Sequence, residues 1–267
     1  MGIARRLLCS SALLFLACMS TPSPAQTLTT IYNFCAQQDC ADGARPDAGL
    51  VQGTDGNFYG TTSQGGPRDG TVFKINPSGA LTTLHSFSGS DGANPMAELV
   101  QANDGNFYGT TFNGGANDDP SCIAGGFDGC GTVFKVTPGG SFTTIYNFCS
   151  QSRCRDGSNP ASALVQGFDG NLYGTSEGRS GGTFYKIESG GMLTTLYHFC
   201  SQPNCADGEY PLTLMRGSDG NFYGTTYAGG TSNNCTLQSS MGCGTVFKIT
   251  PQGTLTTLYS FDNTHGC

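Results

Sequence analysis

Nine residues, Thr54-Asp55-Gly56-Asn57-Phe58-Tyr59-Gly60-Thr61-Thr62, return in close copies at 103–111, 168–176 and 218–226. Each copy is followed by Gly-Thr-(Val/Phe)-(Phe/Tyr)-Lys, at 70–74, 131–135, 182–186 and 244–248. A Pro or Gly turn comes next, then a stretch of the Leu-Thr-Thr-Leu-Tyr-x-Phe kind. Those stretches begin at Leu28, Leu81, Phe142, Leu193 and Leu255, with spacings of 53, 61, 51 and 62 residues. The chain is therefore a tandem array of one supersecondary unit and not a single irregular domain.

One unit reads as four short strands, 48–52, 57–62, 71–76 and 81–87. Asp55-Gly56 turns the first strand into the second, and Pro77-Ser78-Gly79 turns the third into the fourth. Four antiparallel strands per unit, repeated, is the pattern of propeller blades, whereas β-helix rungs need only about half that length. A solenoid is the alternative. Neighbours such as Phe58 and Tyr59 are both bulky, as expected when a sheet is covered on both faces. The expectation is an all-β, propeller-like array with blades at 46–87, 95–148, 160–199 and 211–261 of a mature domain 26–267. An extra fourth strand at 28–34 belongs to none of these blades. Either a fifth blade lacks its first three strands, or the chain is a shortened member of a longer class, and an open edge would be covered by a partner or a second copy.

The basic Met1-Gly2-Ile3-Ala4-Arg5-Arg6 and the apolar run 7–18 have the form of a secretory leader, residues 1–25, too short to span a bilayer as a mature helix. Cleavage is expected after Ala25, with Ser23 and Ala25 as the small recognition residues. Lipid attachment at Cys18 is the alternative, which Phe15-Leu16-Ala17 fits poorly. Without the leader the 12 Lys+Arg fall to 10 against 19 Asp+Glu, a charge near −9. That excess argues against nucleic acid and anionic membrane as partners. No apolar run of spanning length follows the leader, so no membrane insertion is expected after its removal. Glycine accounts for 41 of 267 residues, which suits many turns and short strands.

Eleven cysteines remain after the leader: five close pairs and Cys267. Cys35/Cys40, Cys149/Cys154 and Cys200/Cys205 share one spacing. The repeat without such a pair, Phe87 to Gly92, is four residues shorter than Phe34 to Gly43. Cys122/Cys130 and Cys235/Cys243 lie in long inserts whose shorter equivalents have no cysteine. A pair that arrives only with its own insertion is most simply a local disulfide clamping that loop. Zinc on two pairs is the alternative, disfavoured by the C-x4-C and C-x7-C spacings and by the compartment. No metal or other cofactor is expected. Cys267 has no partner in this scheme, and intermolecular pairing through it is one route to self-association.

The recurrent Asp55, Asp104, Asp169 and Asp219 precede Gly-Asn, and turn geometry already explains them. Asp42, Asp91, Asp156 and Asp207 precede Gly in the links between blades, where Asx turns compete with a calcium reading. His85 and His198 replace residues such as Tyr32 and Asn33 at the outer strand, and His265 lies in the tail. They assemble no nucleophile, base and orienting acid. Lys74, Lys135, Lys186 and Lys248 cover strand faces with their stems. The Phe-Tyr pairs read as core.

Taken together, Pro95, then Asp104-Gly105-Asn106-Phe107-Tyr108, then Gly131-Thr132-Val133-Phe134-Lys135 and Phe142-Thr143-Thr144-Ile145-Tyr146-Asn147-Phe148 form an ordered set of motifs. The set resembles the GloVer (Gloeo/Verruco) tandem repeat of bacterial choice-of-anchor surface and secreted proteins, over essentially all of 28–261. The order of motifs is more distantly similar to NHL-type propeller blades. The resemblance implies a secreted or surface-displayed protein and carries no catalytic residue to this chain. Members often end in an anchoring signal, which the tail up to Cys267 does not resemble.

Two function classes follow. The first is an exported, non-catalytic binding or cell-surface structural module. The second is a propeller-type hydrolase or lyase acting on a small extracellular substrate, for which Glu98 is the one unshared carboxylate noted in a first strand. Antiparallel order places all five cysteine pairs and every large length change at one end of the blades, together with the unequal residues Arg45, Asn94, Asn159 and Tyr210. Variable loops on a repeated scaffold are the usual place for recognition. The expected partner of those residues is an extracellular glycan or another surface protein.

Overall fold

The computed structural model describes residues 28–66, 69–122, 129–178, 181–232, 235–237 and 240–262. The expected leader, Cys18, His265 and Cys267 lie outside the described residues. The described residues from 31 onward belong to one compact unit. Four sheets follow one another along it, each with four antiparallel strands paired in chain order. Blade one holds β1 (Val51–Gln52), β2 (Phe58–Thr62), β3 (Thr71–Ile75) and β4 (Leu81–Ser86). Blade two holds β5 (Val100–Gln101), β6 (Phe107–Thr111), β7 (Thr132–Val136) and β8 (Phe142–Asn147). Blade three holds β9 (Val165–Gln166), β10 (Leu172–Ser176), β11 (Thr183–Ile187) and β12 (Leu193–His198). Blade four begins with β13 (Glu209–Arg216) and β14 (Phe222–Ala228). A small hairpin, β15 (Thr236–Leu237) with β16 (Ser240–Met241), precedes its last strands β17 (Thr245–Ile249) and β18 (Leu255–Ser260). This is the propeller-like array read from the repeat.

The repeated Phe-Tyr-Gly-Thr needs its glycine for a packing reason. A Cβ on Gly109 would stand 2.6 Å from the Phe134 ring of the next strand and 2.7 Å from Leu99. Glycine thus lets the third-strand aromatic lie flat over the second strand. Every third and fourth strand pair carries a register shift at one place, Val72/Phe73, Val133/Phe134, Phe184/Tyr185 and Val246/Phe247. Such a bulge adds twist to the outer edge of each blade.

The core lies mainly between blades. One cluster joins Tyr59, Val72 and Phe87 to Leu99, Phe107 and Phe134, a second joins Val133 and Phe148 to Leu172 and Tyr185, and a third joins Phe184 and Phe199 to Phe222 and Phe247. Burial on both faces explains why β2 and β3 show no clean alternation.

Two strand expectations need correction. The first strand of blade one was expected over 48–52, but only Val51 and Gln52 pair, with Tyr59 and Phe58. Just upstream, the backbone is committed to the link, where Ala44 and Gln64 exchange hydrogen bonds and Arg45 O accepts from Asp47 N and Ser63 N. The strand expected at 28–34 is not formed. A strand needs a neighbour for its backbone groups, and none of the described strands pairs with this segment. Its side chains nevertheless occupy fourth-strand places: Tyr32 donates to Asp42 at 2.7 Å, and the Phe34 and Phe73 rings lie 4.9 Å apart. At the other end of the array Phe261 is 37% exposed, whereas its counterparts Phe87, Phe148 and Phe199 are buried.

Candidate functional site

Antiparallel pairing gives each blade two unlike ends. The turn end is uniform. Asp55 accepts the Asn57 amide N–H at 3.1 Å on one carboxylate oxygen, and on the other accepts Asn57 Nδ2 at 2.7 Å and the Tyr59 hydroxyl at 2.8 Å. Asp104, Asp169 and Asp219 repeat the arrangement with Asn106 and Tyr108, Asn171 and Tyr173, and Asn221 and Tyr223. Hydrogen bonding from Asn57 holds the Asp55 carboxyl below its ordinary range, and the bonds to Asp104 and Asp169 outweigh the upward push of burial there. Both oxygens of each carboxylate are engaged in closing a hairpin and tying it to the second strand.

The link end is built on the other aspartate series. Asp156, fully buried, accepts the Tyr146 hydroxyl at 2.7 Å, Ser150 N at 2.8 Å and Gln151 N at 3.1 Å. Asp42 does the same with Tyr32, Ala36 and Gln37, and Asp207 with Tyr197, Ser201 and Gln202. In the link without cysteines, His85 takes the tyrosine's place, its Nε2 2.8 Å from Asp91 and its ring stacked 3.6 Å from Phe142. Burial, then the neighbouring carboxylates, push the Tyr146 and Tyr197 phenols up to about 12.

Disulfides close Cys35 to Cys40, Cys149 to Cys154 and Cys200 to Cys205, each around a short 3-10 turn. The three loops are backbone copies: their middle residues, Asp39, Arg153 and Asn204, have φ of 54°, 59° and 57°. Cys122–Cys130 and Cys235–Cys243 close the longer loops. The sulfurs of Cys122, Cys130, Cys149 and Cys154 all lie within 4.8 Å of one another, so two disulfides abut between blades. All four sulfurs are bonded in pairs, the arrangement that competes with metal ligation.

Arg45, Asn94, Asn159 and Tyr210 occupy one backbone position, the residue before the link proline, and all four are left-handed, with φ of 56°, 59°, 54° and 56°. Their carbonyls and amides stitch the link to its neighbours: Ser63 N donates to Arg45 O, Phe112 N to Asn94 O and Glu177 N to Asn159 O, while Tyr210 N donates to Gly181 O. The Asn159 side chain is buried and donates to Phe112 O at 3.0 Å. What the position shares is a left-handed backbone conformation, which suits Asn94 and Asn159 and which Arg45 and Tyr210 also adopt. None of the four lines the cleft described next. Glu98 is exposed, its carboxyl lying over Gly49 of blade one.

Between the 149–157 link and the end of β12 opens a cleft of about 520 Å³. Arg153, Arg155, Ser158, Thr183, His198 and Ser201 face it, and among the described residues no carboxylate lines it. Neither arginine forms an ion pair with a described residue. Sequence reasoning named His198 only as a substitution and passed over Arg153 and Arg155. Aligning the three cysteine loops exposes them, because Ala41 and Ala206 stand where Arg155 does, and Asp39 and Asn204 where Arg153 does. Nearby, Glu177 replaces Ser63, Phe112 and Tyr227 at the end of the second strand, half-buried, its carboxyl raised by burial.

The family model for the Gloeobacter/Verrucomicrobia repeat matches residues 19–237 and, in a second match, 121–267. No curated protein matches by sequence. Among solved structures, the fold is similar to virginiamycin B lyase from Staphylococcus aureus, at 17% identity and a TM-score of 0.56 over 87% of this chain and 59% of that one. A catalytically inactive form of that lyase with quinupristin aligns at 15% identity and a TM-score of 0.52, over 80% and 55%. A gluconolactonase from Xanthomonas campestris aligns at 18% identity and a TM-score of 0.49, over 78% and 60%. The chain spans less than two thirds of the length of each.

Proposed function

The chain belongs to the Gloeobacter/Verrucomicrobia repeat family, and on that premise we propose that it is an exported, non-catalytic binding module that holds an extracellular partner at the link end of its blades. The contrast between the two ends carries this reading. The turn end repeats one hydrogen-bonded hairpin four times. The link end holds the five disulfides of the described residues and the length changes read from the sequence, and clamped loops keep one shape before contact, which lowers the ordering cost of binding. Five disulfides in one chain suit an oxidising compartment outside the cytosol. Glu177, Tyr185 and Lys248 apart, the described groups with displaced protonation belong to repeated structural pairs such as Tyr59 with Asp55, which leaves little unique chemistry for catalysis.

The test is a screen of the intact, oxidised protein against a glycan array and bacterial surface proteins, repeated with link and turn variants. Shortening the Cys122–Cys130 loop, or Ala at Arg45 and Tyr210, should weaken any capture, while Asp104→Ala should reduce stability and leave capture intact. Undiminished capture by all link variants refutes the reading.

One observation favours a second reading, a hydrolase or lyase on a small extracellular substrate. Glu177 is an unshared, half-buried carboxyl with a raised pKa beside the arginine-lined cleft, the environment that suits a general acid or base. Loss of a measured turnover in Glu177→Gln would favour it.

A further inference from the structure

From the cleft between the 149–157 link and β12 we infer that the protein carries an oxyanion-binding site, specific for a carboxylate- or sulfate-bearing ligand, which rests on the binding-module reading. The cysteine loops supply the internal comparison. All three hold the same backbone, with φ of 54°, 59° and 57° at the central residue. A left-handed residue other than glycine is best made Asn or Asp, and Asp39 and Asn204 obey that rule. Arg153 breaks it. Two positions on, Ala41 and Ala206 show that the loop needs nothing larger than a methyl group, yet the same place holds Arg155. Across the cleft stands His198, where Ser86, Asn147 and Ser260 occupy the equivalent strand ends.

Two arginines and a histidine, none of them found at the equivalent places of the other repeats, thus border one cavity of about 520 Å³, all three exposed to solvent. Local rules broken without a packing gain are the expected mark of a functional site. The charge is unspent: neither guanidinium has an acidic partner among the described residues, in a chain whose formal charge is −7. Asp156, within the loop, is buried and committed to Tyr146, Ser150 and Gln151, and Glu177, the residue before the cleft-lining Gly178, forms no ion pair with a described residue. Guanidinium groups favour planar oxyanions because their paired N–H donors match two oxygens at once. The Cys149–Cys154 disulfide and Asp156 together fix the backbone that bears both arginines, so the loop has its shape before the ligand arrives.

The sister loops also provide the variant. Arg153→Asn with Arg155→Ala makes the 149–157 loop match the 200–208 loop, which this protein already folds, at every place but Ser152, where that loop has Pro203. Titration calorimetry on the oxidised protein would use a heparin-derived tetrasaccharide and oligogalacturonate as acidic glycans, inorganic sulfate and free galacturonate as small anions, and neutral dextran as control. The wild type should bind at least one acidic probe, weaken as salt rises, and lose at least tenfold in affinity in the double variant, with unfolding temperature unchanged or raised. Acidic oligosaccharide bound more than tenfold tighter than its free anion supports the site with a glycan as source. Equal affinity supports the site with the free anion as source. No anion bound by the wild type, equal binding of dextran, or undiminished binding by the double variant overturns the inference, even where another partner is still captured at the links.

Discussion

The ring of Phe148, just past the outer strand of the second blade, stands 5.2 Å from the ring of Tyr185 in the third blade, inclined to it by 66°. Phe87 with Phe134 and Phe199 with Phe247 make the same edge-on contact at 5.3 and 5.1 Å. The final aromatic of one unit is therefore a core residue of the next, and the array is held together by this exchange as much as by its sheets.

Tyr185 is the one receiving ring that carries a hydroxyl, and its buried oxygen has no partner among the described residues. A buried hydroxyl without a hydrogen bond costs about 1–3 kcal/mol. Tyr185→Phe should stabilise the protein by about 1 kcal/mol, seen as a higher midpoint in urea unfolding followed by circular dichroism. A lower midpoint would show that the oxygen is satisfied in solution.

Gly109 tests the close approach of strand and ring. Alanine there places a methyl group against Phe134 and Leu99, both buried. Overpacking of this kind costs about 1–3 kcal/mol, so Gly109→Ala should unfold at clearly lower urea. Gly105→Ala, where no atom lies within 4 Å of the new Cβ but φ is 78°, isolates the purely conformational cost.

Stability should follow pH as a plateau with two shoulders. Asp104 and Asp169 have lowered folded-state pKa values, through hydrogen bonds from Asn and Tyr that exceed the effect of burial. Their contribution is present above the unfolded carboxylate value of about 4 and is lost as pH falls through the folded value. Tyr146 and Tyr197 are raised to about 12, chiefly by burial. Their contribution is complete below the unfolded phenol value of about 10 and is lost between there and about 12. Thermal unfolding from pH 2 to 12 should show both shoulders, and Tyr146→Phe should blunt the alkaline one.

Replacing Cys149 and Cys154 together by serine should cost about 2 kcal/mol by the chain-entropy relation for so short a loop. The blades should keep their far-ultraviolet signature, because the loop lies outside every sheet. Peptide mapping without reduction should return the five local pairs. A Cys130 to Cys149 crosslink in place of two of them would show that the abutting sulfurs exchange.

Much of this architecture is legible because it is local. Asp55-Gly56-Asn57 turns the chain wherever it occurs, since Asp55 bonds to residues two and four places away. Cysteine pairs that come and go with their own insertions announce short-range closure. Repetition of three motifs at nearly constant spacing fixes strand order in each blade, because consecutive antiparallel strands need only short turns.

What needed the tertiary structure is what depends on a neighbour. The segment 28–34 has the residues of a strand and forms none, because a strand is stabilised by hydrogen bonds to another chain segment and not by its own composition. Arg45, Asn94, Asn159 and Tyr210 differ in side chain yet share a left-handed backbone, a likeness of conformation that residue types do not display. Arg153 and Arg155 share one loop while His198 lies on a later strand, and only the packing of a link against the next outer strand brings them to one cleft. Sequence alone determined the repeat, the turns and the class of fold, because those rest on interactions within a few residues. The tertiary structure decided where charge converges, because that is set by contacts between units, and a repeating sequence writes those contacts identically until individual side chains depart from the pattern.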